Sequence, residues 1–259
     1  MSQAKRSKDD RSRFRSISNW GLPGPLEPAL VERVSHDANV IPEVARILLR
    51  RSGNDAARAL MMMARDRDAA LPDLQLLPGI SYAVKRLCTA RERQERVAVY
   101  SDFDCDGITG AVILTECLEL AGFENFLVYF PSRRTEGYGF HAGSATALSG
   151  DGASLFVTCD CGISGYDACE VLSSLGRDVI ITDHHLPGTD LPKAASIIDP
   201  HLPAWDGFGL TGLSGAGVAY LLSLALHRAL GVETARSWAH DLLALSIAGD
   251  GQPVMGPNR

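Results

Sequence analysis

The chain has 259 residues, a hydrophobic fraction of 46% and a formal net charge of −6. That is enough apolar chain for one large domain, or one domain with a smaller attachment, and the acidic balance excludes a protein that holds nucleic acid by bulk charge alone. Six cysteines (Cys88, Cys105, Cys117, Cys159, Cys161 and Cys169) form neither a disulfide framework nor a paired C-x-x-C zinc pattern. No run approaches the ~18 apolar residues of a membrane span, and the N-terminus lacks the apolar stretch of a secretory signal. A cytoplasmic protein with no membrane partner is expected.

Residues 1–26 read as a disordered basic tail, with Lys5, Arg6, Lys8, Arg11, Arg13 and Arg15, ending in the breaker cluster Gly21-Leu22-Pro23-Gly24-Pro25. Residues 27–96 read as a helical segment. Pro42 suits a helix first turn, Ile41, Val44, Ile47 and Leu48 follow helical spacing, and Met61, Met62 and Met63 read as helix core. The period then changes. Val97-Ala98-Val99-Tyr100, Phe126 to Phe130, Leu155 to Cys159, Val179 to Thr182 and Ser196-Ile197-Ile198 are short apolar runs, read as buried strands. Between them lie helical patterns. Leu114, Cys117, Leu118 and Ala121 are stopped by Gly122; Ala168, Val171, Leu172 and Leu175 are opened by a capping-box variant at Ser164 and Asp167. Val218, Leu221, Leu222 and Ala225 mark a late helix stopped by Gly231, and a last helix is expected from about Ala235 to Ala248. Apolar strands alternating with helices predict an α/β fold, a mostly parallel sheet with helices on both faces, preceded by the helical N-terminal segment. Ligands of such sheets bind outside the carboxyl ends of the strands.

Acids stand at three of those ends. Asp102, Asp104 and Asp106 crowd into five residues after the first strand. Like charges so close raise one another's pKa unless a cation compensates. An isolated D-x-D-x-D-G could equally be a solvated turn that caps the next helix. A calcium EF-hand loop is rejected, because its twelfth position, a Glu in that motif, is Ile113 here and a strand precedes the loop. Asp160 follows the third strand and Asp183-His184-His185 the fourth. An acid–imidazole trio beside two other acidic strand ends favours a divalent cation of the Mn²⁺ or Mg²⁺ type over an ordinary surface His pair.

With these residues in view the chain resembles the DHH phosphoesterase family and, within it, the RecJ-type single-strand-specific exonucleases. Ser101 to Gly110 is similar to the family's first motif, Asp160-Cys161-Gly162-Ile163-Ser164 to the second, and Thr182-Asp183-His184-His185 to the signature that names the family. Gly249-Asp250-Gly251-Gln252-Pro253 with Asn258-Arg259 is similar to the fourth. Pro131 to Gly139 and Leu213 to Ala219 point to the RecJ branch.

The resemblance implies a DHH catalytic domain over residues 97–259 that hydrolyses phosphodiester bonds 5′→3′ on single-stranded DNA, releasing 5′-mononucleotides in repair and recombination. It implies two divalent cations, Mn²⁺ or Mg²⁺, held by Asp104, Asp106, Asp160, His184 and Asp250, with Asp160 and Asp250 able to bridge. It gives Asp102 and Asp183 auxiliary roles at the catalytic centre, turns His185 toward the scissile phosphate, and places Arg133 against the nucleic acid; by residue type Tyr138 or Phe140 is a candidate for stacking a base, with loop packing the equal alternative for Tyr138 between Gly137 and Gly139. Single-stranded DNA is the implied partner, with single-strand-binding protein as an accessory one. Two departures stand out: Ile247 and Gly249 replace the Thr and Ala frequent in the family, and glycines flank Asp250. RecJ-type proteins continue into a second, substrate-gripping domain, whereas this sequence stops at Arg259, so a catalytic core without that domain is expected. The competing readings are a phosphodiesterase for short oligonucleotides or cyclic dinucleotides, and a non-catalytic DHH scaffold.

Overall fold

The computed structural model describes residues 24–63, 71–234 and 238–259. Residues 1–23 of the expected basic tail and the first residues of the expected last helix, 235–237, lie outside the described residues. The chain divides into two compact units, Met1–Ala64 and Arg65–Arg259.

In the first unit, helices α1 (Pro28–Asp37) and α2 (Pro42–Arg51) each begin on a proline, whose fixed φ and missing N–H suit a first turn. Helix α3 (Ala56–Met61) is capped by Asp55, which accepts from the Arg58 amide at 3.1 Å. Val31, Val34, Ala45, Leu48, Leu49 and Ala59 face inward. Ile41, Ile47, Met61 and Met63 do not; they are exposed, and of the three methionines only Met62 is buried. The inward stripe of α2 is set by Ala45, Leu48 and Leu49; the spacing of Ile47 places it off that stripe, and Ile41, in helical register with it, is the extended N-cap residue outside the helix.

The second unit is built on five strands: β1 (Arg96–Ser101), β2 (Phe126–Tyr129), β3 (Ala153–Cys159), β4 (Asp178–Thr182) and β5 (Ser196–Ile198). All four pairings are parallel, in the order β2-β1-β3-β4-β5, with Val99 facing Val128 on one side and Val157 on the other. Helices α4 (Ile80–Glu92), α5 (Cys105–Leu120) and α8 (Gly215–Leu230) cover one face, where Leu87, Leu114, Leu118, Val218, Leu221 and Leu222 meet Val97, Val99, Val157 and Ile180. Helices α6 (Ala142–Gly150) and α7 (Tyr166–Ser174) cover the other, where Ala145, Leu148, Ala168 and Leu172 meet Ala98, Phe156, Val179 and Ile181. Strands enclosed on both faces explain their unbroken apolar runs. Helix α9 (His240–Gly249) packs beside α5 and α8.

Several boundaries differ from the sequence expectation. Helix α4 lies within the second unit, because its apolar stripe is buried against β1 and α8. Helix α7 starts two residues after Ser164, with Gly165 at its N-cap and no side-chain cap, and Leu175 is the exposed residue that ends it. Helix α6 has no counterpart in the sequence reading; its small, weakly patterned residues hid it. Phe140 is not free to stack a base: it is buried edge-on against Tyr100 at 4.8 Å. Among the described residues no helix is long and apolar enough to cross a membrane.

Candidate metal centre

The strand ladder delivers the acids. The Asp102 amide bonds the Cys159 carbonyl at 3.2 Å, the Asp160 amide bonds Thr182 at 3.1 Å and the Asp183 amide bonds Ile198 at 3.1 Å. Each acid is thus held one step beyond its strand, at the carboxyl edge where α/β sheets bind ligands. Asp104 also does what a bland reading assigns it. It caps α5, its Oδ1 accepting from the Asp106 and Gly107 amides at 2.9 and 3.0 Å. Asp160 takes a positive φ of 57°, a strained conformation for a residue other than glycine and one that clusters at functional sites.

Around His184 the groups converge. Its Nε2 lies 3.1 Å from Asp160 Oδ1, 3.6 Å from Asp106 Oδ2 and 3.8 Å from Asp250 Oδ2. Its Nδ1 lies 3.0 Å from the Leu213 carbonyl. A carbonyl only accepts, so Nδ1 carries the proton and Nε2 turns a lone pair into the cluster. Two further groups share Asp160: one with His184 and His185, and one with Asp102 and Asp104. Asp102, expected in an auxiliary role, is therefore placed with potential ligand atoms. Cys161 points elsewhere, toward the Tyr100 carbonyl, and Cys105 toward Leu245.

Burial without partners sets the electrostatics. Asp102 Oδ1, Asp160 Oδ1 and His184 Nε2 are buried and make no hydrogen bond. Such atoms are costly unless something charged or polar meets them. With only protein charges around it, burial pushes Asp160 up to about 7, helped by Asp106 and Asp104 and opposed by His184. Burial alone would lower His184, but the adjacent Asp160 carboxylate, with the charges of Asp106 and Asp250, lifts it to about 9. Burial, then the Asp104 charge, raises Asp102. Carboxylates and an imidazole with orphaned atoms on one buried point are the donor set of a divalent cation, so these residues fit Mn²⁺ or Mg²⁺.

Supporting groups orient the cluster. Asp183 is fully buried. Its Oδ2 accepts from the Ile163 amide at 2.9 Å, and its Oδ1 from the His184 amide at 2.7 Å and from His185 Nδ1 at 2.8 Å. Burial would raise Asp183, yet the His185 hydrogen bond and charge and the amide donors outweigh it and hold it below the usual carboxylate range. The same bond raises His185. The Tyr138 hydroxyl lies 3.1 Å from His185 Nδ1, with ring centroids 5.4 Å apart. The Arg133 guanidinium lies over the Phe103 ring at 4.7 Å, between Asp102 and Asp104 in sequence, on a turn pinned by Glu136, which accepts from Tyr129 and from the Ser132 amide.

The start of α8 is the part that motif reading left without a role. The Gly215 and Ala216 amides donate to Asp106 at 2.6 and 2.8 Å, a carboxylate at a helix N-terminus. A Cβ on Gly215 would stand 2.6 Å from Asp160 Cβ and 2.7 Å from its Oδ1, so only glycine lets α8 come this close. Asp250 is the C-cap of α9, its Oδ2 accepting from Gln252 at 2.7 Å. The glycine before it does not loosen the helix end. A Cβ on Gly249 would lie 2.8 Å from Cys105 Cβ, so Gly249 is the contact that seats α9 on α5. Asp199, not singled out in the sequence, follows β5 fully buried, and burial pushes it up to about 7. Its place at a fifth strand end was the available signal.

The comparisons agree with this architecture. The profile of the DHH family, N-terminal domain, matches residues 96–249. The chain is 33% identical over 245 residues to the single-stranded-DNA-specific exonuclease RecJ of Bacillus subtilis (strain 168), covering 94% of this chain and 30% of that protein. It is 35% identical over 236 residues to the RecJ of Escherichia coli (strain K12), covering 87% and 41%. A crystal structure of RecJ in complex with Mn²⁺ from Thermus thermophilus is similar with a TM-score of 0.69 and 30% identity, over 92% of this chain and 33% of that one. The chain spans less than half the length of these relatives. With its profile match, sheet and acidic strand ends, the chain belongs to the DHH family.

Proposed function

We propose that this chain is the metal-binding catalytic part of a single-strand-specific DNA exonuclease that hydrolyses phosphodiester bonds 5′→3′ and releases 5′-mononucleotides. The observation that carries the reading is the convergence of Asp106, Asp160 and Asp250 on the orphaned Nε2 of buried His184. The RecJ relatives supply the substrate class: single-stranded DNA. A cytoplasmic location, a place in repair and recombination, and single-strand-binding protein as accessory partner belong to the same reading.

In this reading Asp104, Asp106, Asp160, His184 and Asp250 would hold two cations, Mn²⁺ or Mg²⁺, with Asp102 grouped beside Asp104 and Asp160. Bound there, the ions supply an acidified water and neutralise charge at the phosphate. The protein's own groups do the rest. Asp183 holds the proton on His185 Nδ1, which leaves Nε2 to face a phosphate oxygen. His185, raised by Asp183, donates to that oxygen, while Tyr138 fixes the tilt of its ring. Arg133, steadied on Phe103, receives a neighbouring phosphate with its planar fork.

The test is cleavage by the chain with Mn²⁺ of 5′-labelled single-stranded DNA, duplex DNA and a cyclic dinucleotide. Release of labelled mononucleotide from the single strand alone is expected. Turnover of the cyclic dinucleotide alone would move the assignment to small-substrate phosphodiesterases, and metal binding with no turnover of any substrate would make the chain a scaffold.

A further inference from the structure

Ser246 lies on α9, one turn before Asp250 and fully buried. It touches two of the acids by different atoms. Its Oγ lies 2.7 Å from Asp106 Oδ1, and its carbonyl accepts from the Asp250 amide at 2.9 Å. Its Oγ also meets Ser214 Oγ, the N-cap hydroxyl of α8. The proton direction follows from the partners. An ionised carboxylate only accepts, so the single Ser246 proton goes to Asp106. Ser246 must then accept from Ser214, whose own oxygen accepts from the Gly217 amide at 3.1 Å. The chain Ser214 → Ser246 → Asp106 therefore has one self-consistent polarity.

The two oxygens of Asp106 are not equivalent. Oδ1 takes two donors, Ser246 Oγ and the Ala216 amide. Oδ2 takes one, the Gly215 amide, and faces His184 Nε2 at 3.6 Å. Anchoring Oδ1 twice keeps Oδ2 turned into the cluster.

We propose that Ser246 is a positioning residue that orients Asp106 for metal binding. The inference rests on the metal-site reading above. Losing a hydrogen bond to a ligand of a metal lowers metal affinity by about 10- to 100-fold. A serine with a purely packing role would not do so.

The experiment is Mn²⁺ titration calorimetry on the full chain, with Tm recorded in parallel. The variants are Ser246→Ala, Ser246→Thr and, as control, Ser223→Ala. Ser223 is also fully buried, but its hydroxyl returns to the Ala219 carbonyl within α8. Ser246→Ala should weaken Mn²⁺ binding by about 10-fold or more. Ser246→Thr, which keeps the hydroxyl, should bind nearer to wild type than Ser246→Ala even where its added methyl lowers Tm. Ser223→Ala should leave Mn²⁺ binding unchanged. Wild-type affinity in Ser246→Ala, or an equal loss in Ser223→Ala, overturns the proposal while leaving the metal site standing. Failure of the wild-type chain to bind Mn²⁺ overturns both.

Discussion

Asp160 and His184 leave the ends of β3 and β4 almost wholly enclosed, with 3% and 7% of their side chains exposed, whereas Asp250 leaves the end of α9 with 28% exposed. The strand-end half is fixed by the parallel ladder, by the Asp183 carboxylate and by the α8 amides. The α9 half is held by its packing on α5 and α8, at close contacts that include Gly249 against Cys105 and Ser246 against Asp106 and Ser214. The strand ends hold charge whose enclosure is costly without a cation. Asp250 is the acid of the cluster that meets solvent most.

The comparison breaks first at Asp160, which belongs to two of the three possible ligand groups. Asp160→Ala should reduce metal-dependent cleavage to the level seen without added metal; activity comparable to wild type would remove Asp160 from the centre. Next is Gly215→Ala, whose Cβ would collide with Asp160. Overpacking of this kind costs about 1–3 kcal/mol, so both Tm and Mn²⁺ affinity should fall; an unchanged Tm would mean that α8 has room to withdraw. A sharper contrast comes from Asp106→Asn and Asp250→Asn. The first sets an amide among three donors, at roughly 1–3 kcal/mol for buried groups left unpaired, and should lower both Tm and metal affinity. The second should lower metal affinity and leave Tm unchanged, as befits a partly exposed cap. Equal Tm losses would erase the distinction between the two halves.

A pH effect follows from the enclosed half. Cation binding needs Asp160 ionised and His184 neutral at Nε2, yet burial puts Asp160 at about 7 and the neighbouring acids put His184 at about 9. Protons therefore compete with the metal below those values. Apparent Mn²⁺ affinity should rise as pH climbs from about 6 toward about 9, with proton release on binding. Calorimetry in two buffers of different ionisation enthalpy measures that release. The smallest effect is expected at Tyr138→Phe, which removes the hydroxyl beside His185. It should lower kcat by a few-fold, as one modest hydrogen bond implies, without changing metal affinity.

How much of this could be read from sequence divides along the same line. The five strands and the acids after β1, β3 and β4 were legible because period and polarity change within a few residues: an apolar run ends and a carboxylate follows. Helix α6 was not, since Ala142, Gly143, Ser144 and Ala145 carry little apolar contrast. Nor were the Ser246–Asp106 and Gly249–Cys105 contacts, which join residues well over a hundred positions apart. The stretch Leu213 to Ala219 was recognisable as a motif. Its work, presenting the Leu213 carbonyl to His184 and the Gly215 and Ala216 amides to Asp106, needed the fold to be seen. The exposure of Ile41, Ile47 and Met61 shows the limit of spacing in short helices, where three or four inward residues fill the available core.

The central claim is that these buried acids and His184 exist to hold divalent cations. It is tested most directly by counting Mn²⁺ bound per chain after equilibrium dialysis, for wild type and for Asp160→Ala. The account predicts two ions on the wild-type chain and fewer on the variant. A wild-type chain that retains no Mn²⁺, or a variant that retains as much as wild type, would contradict it.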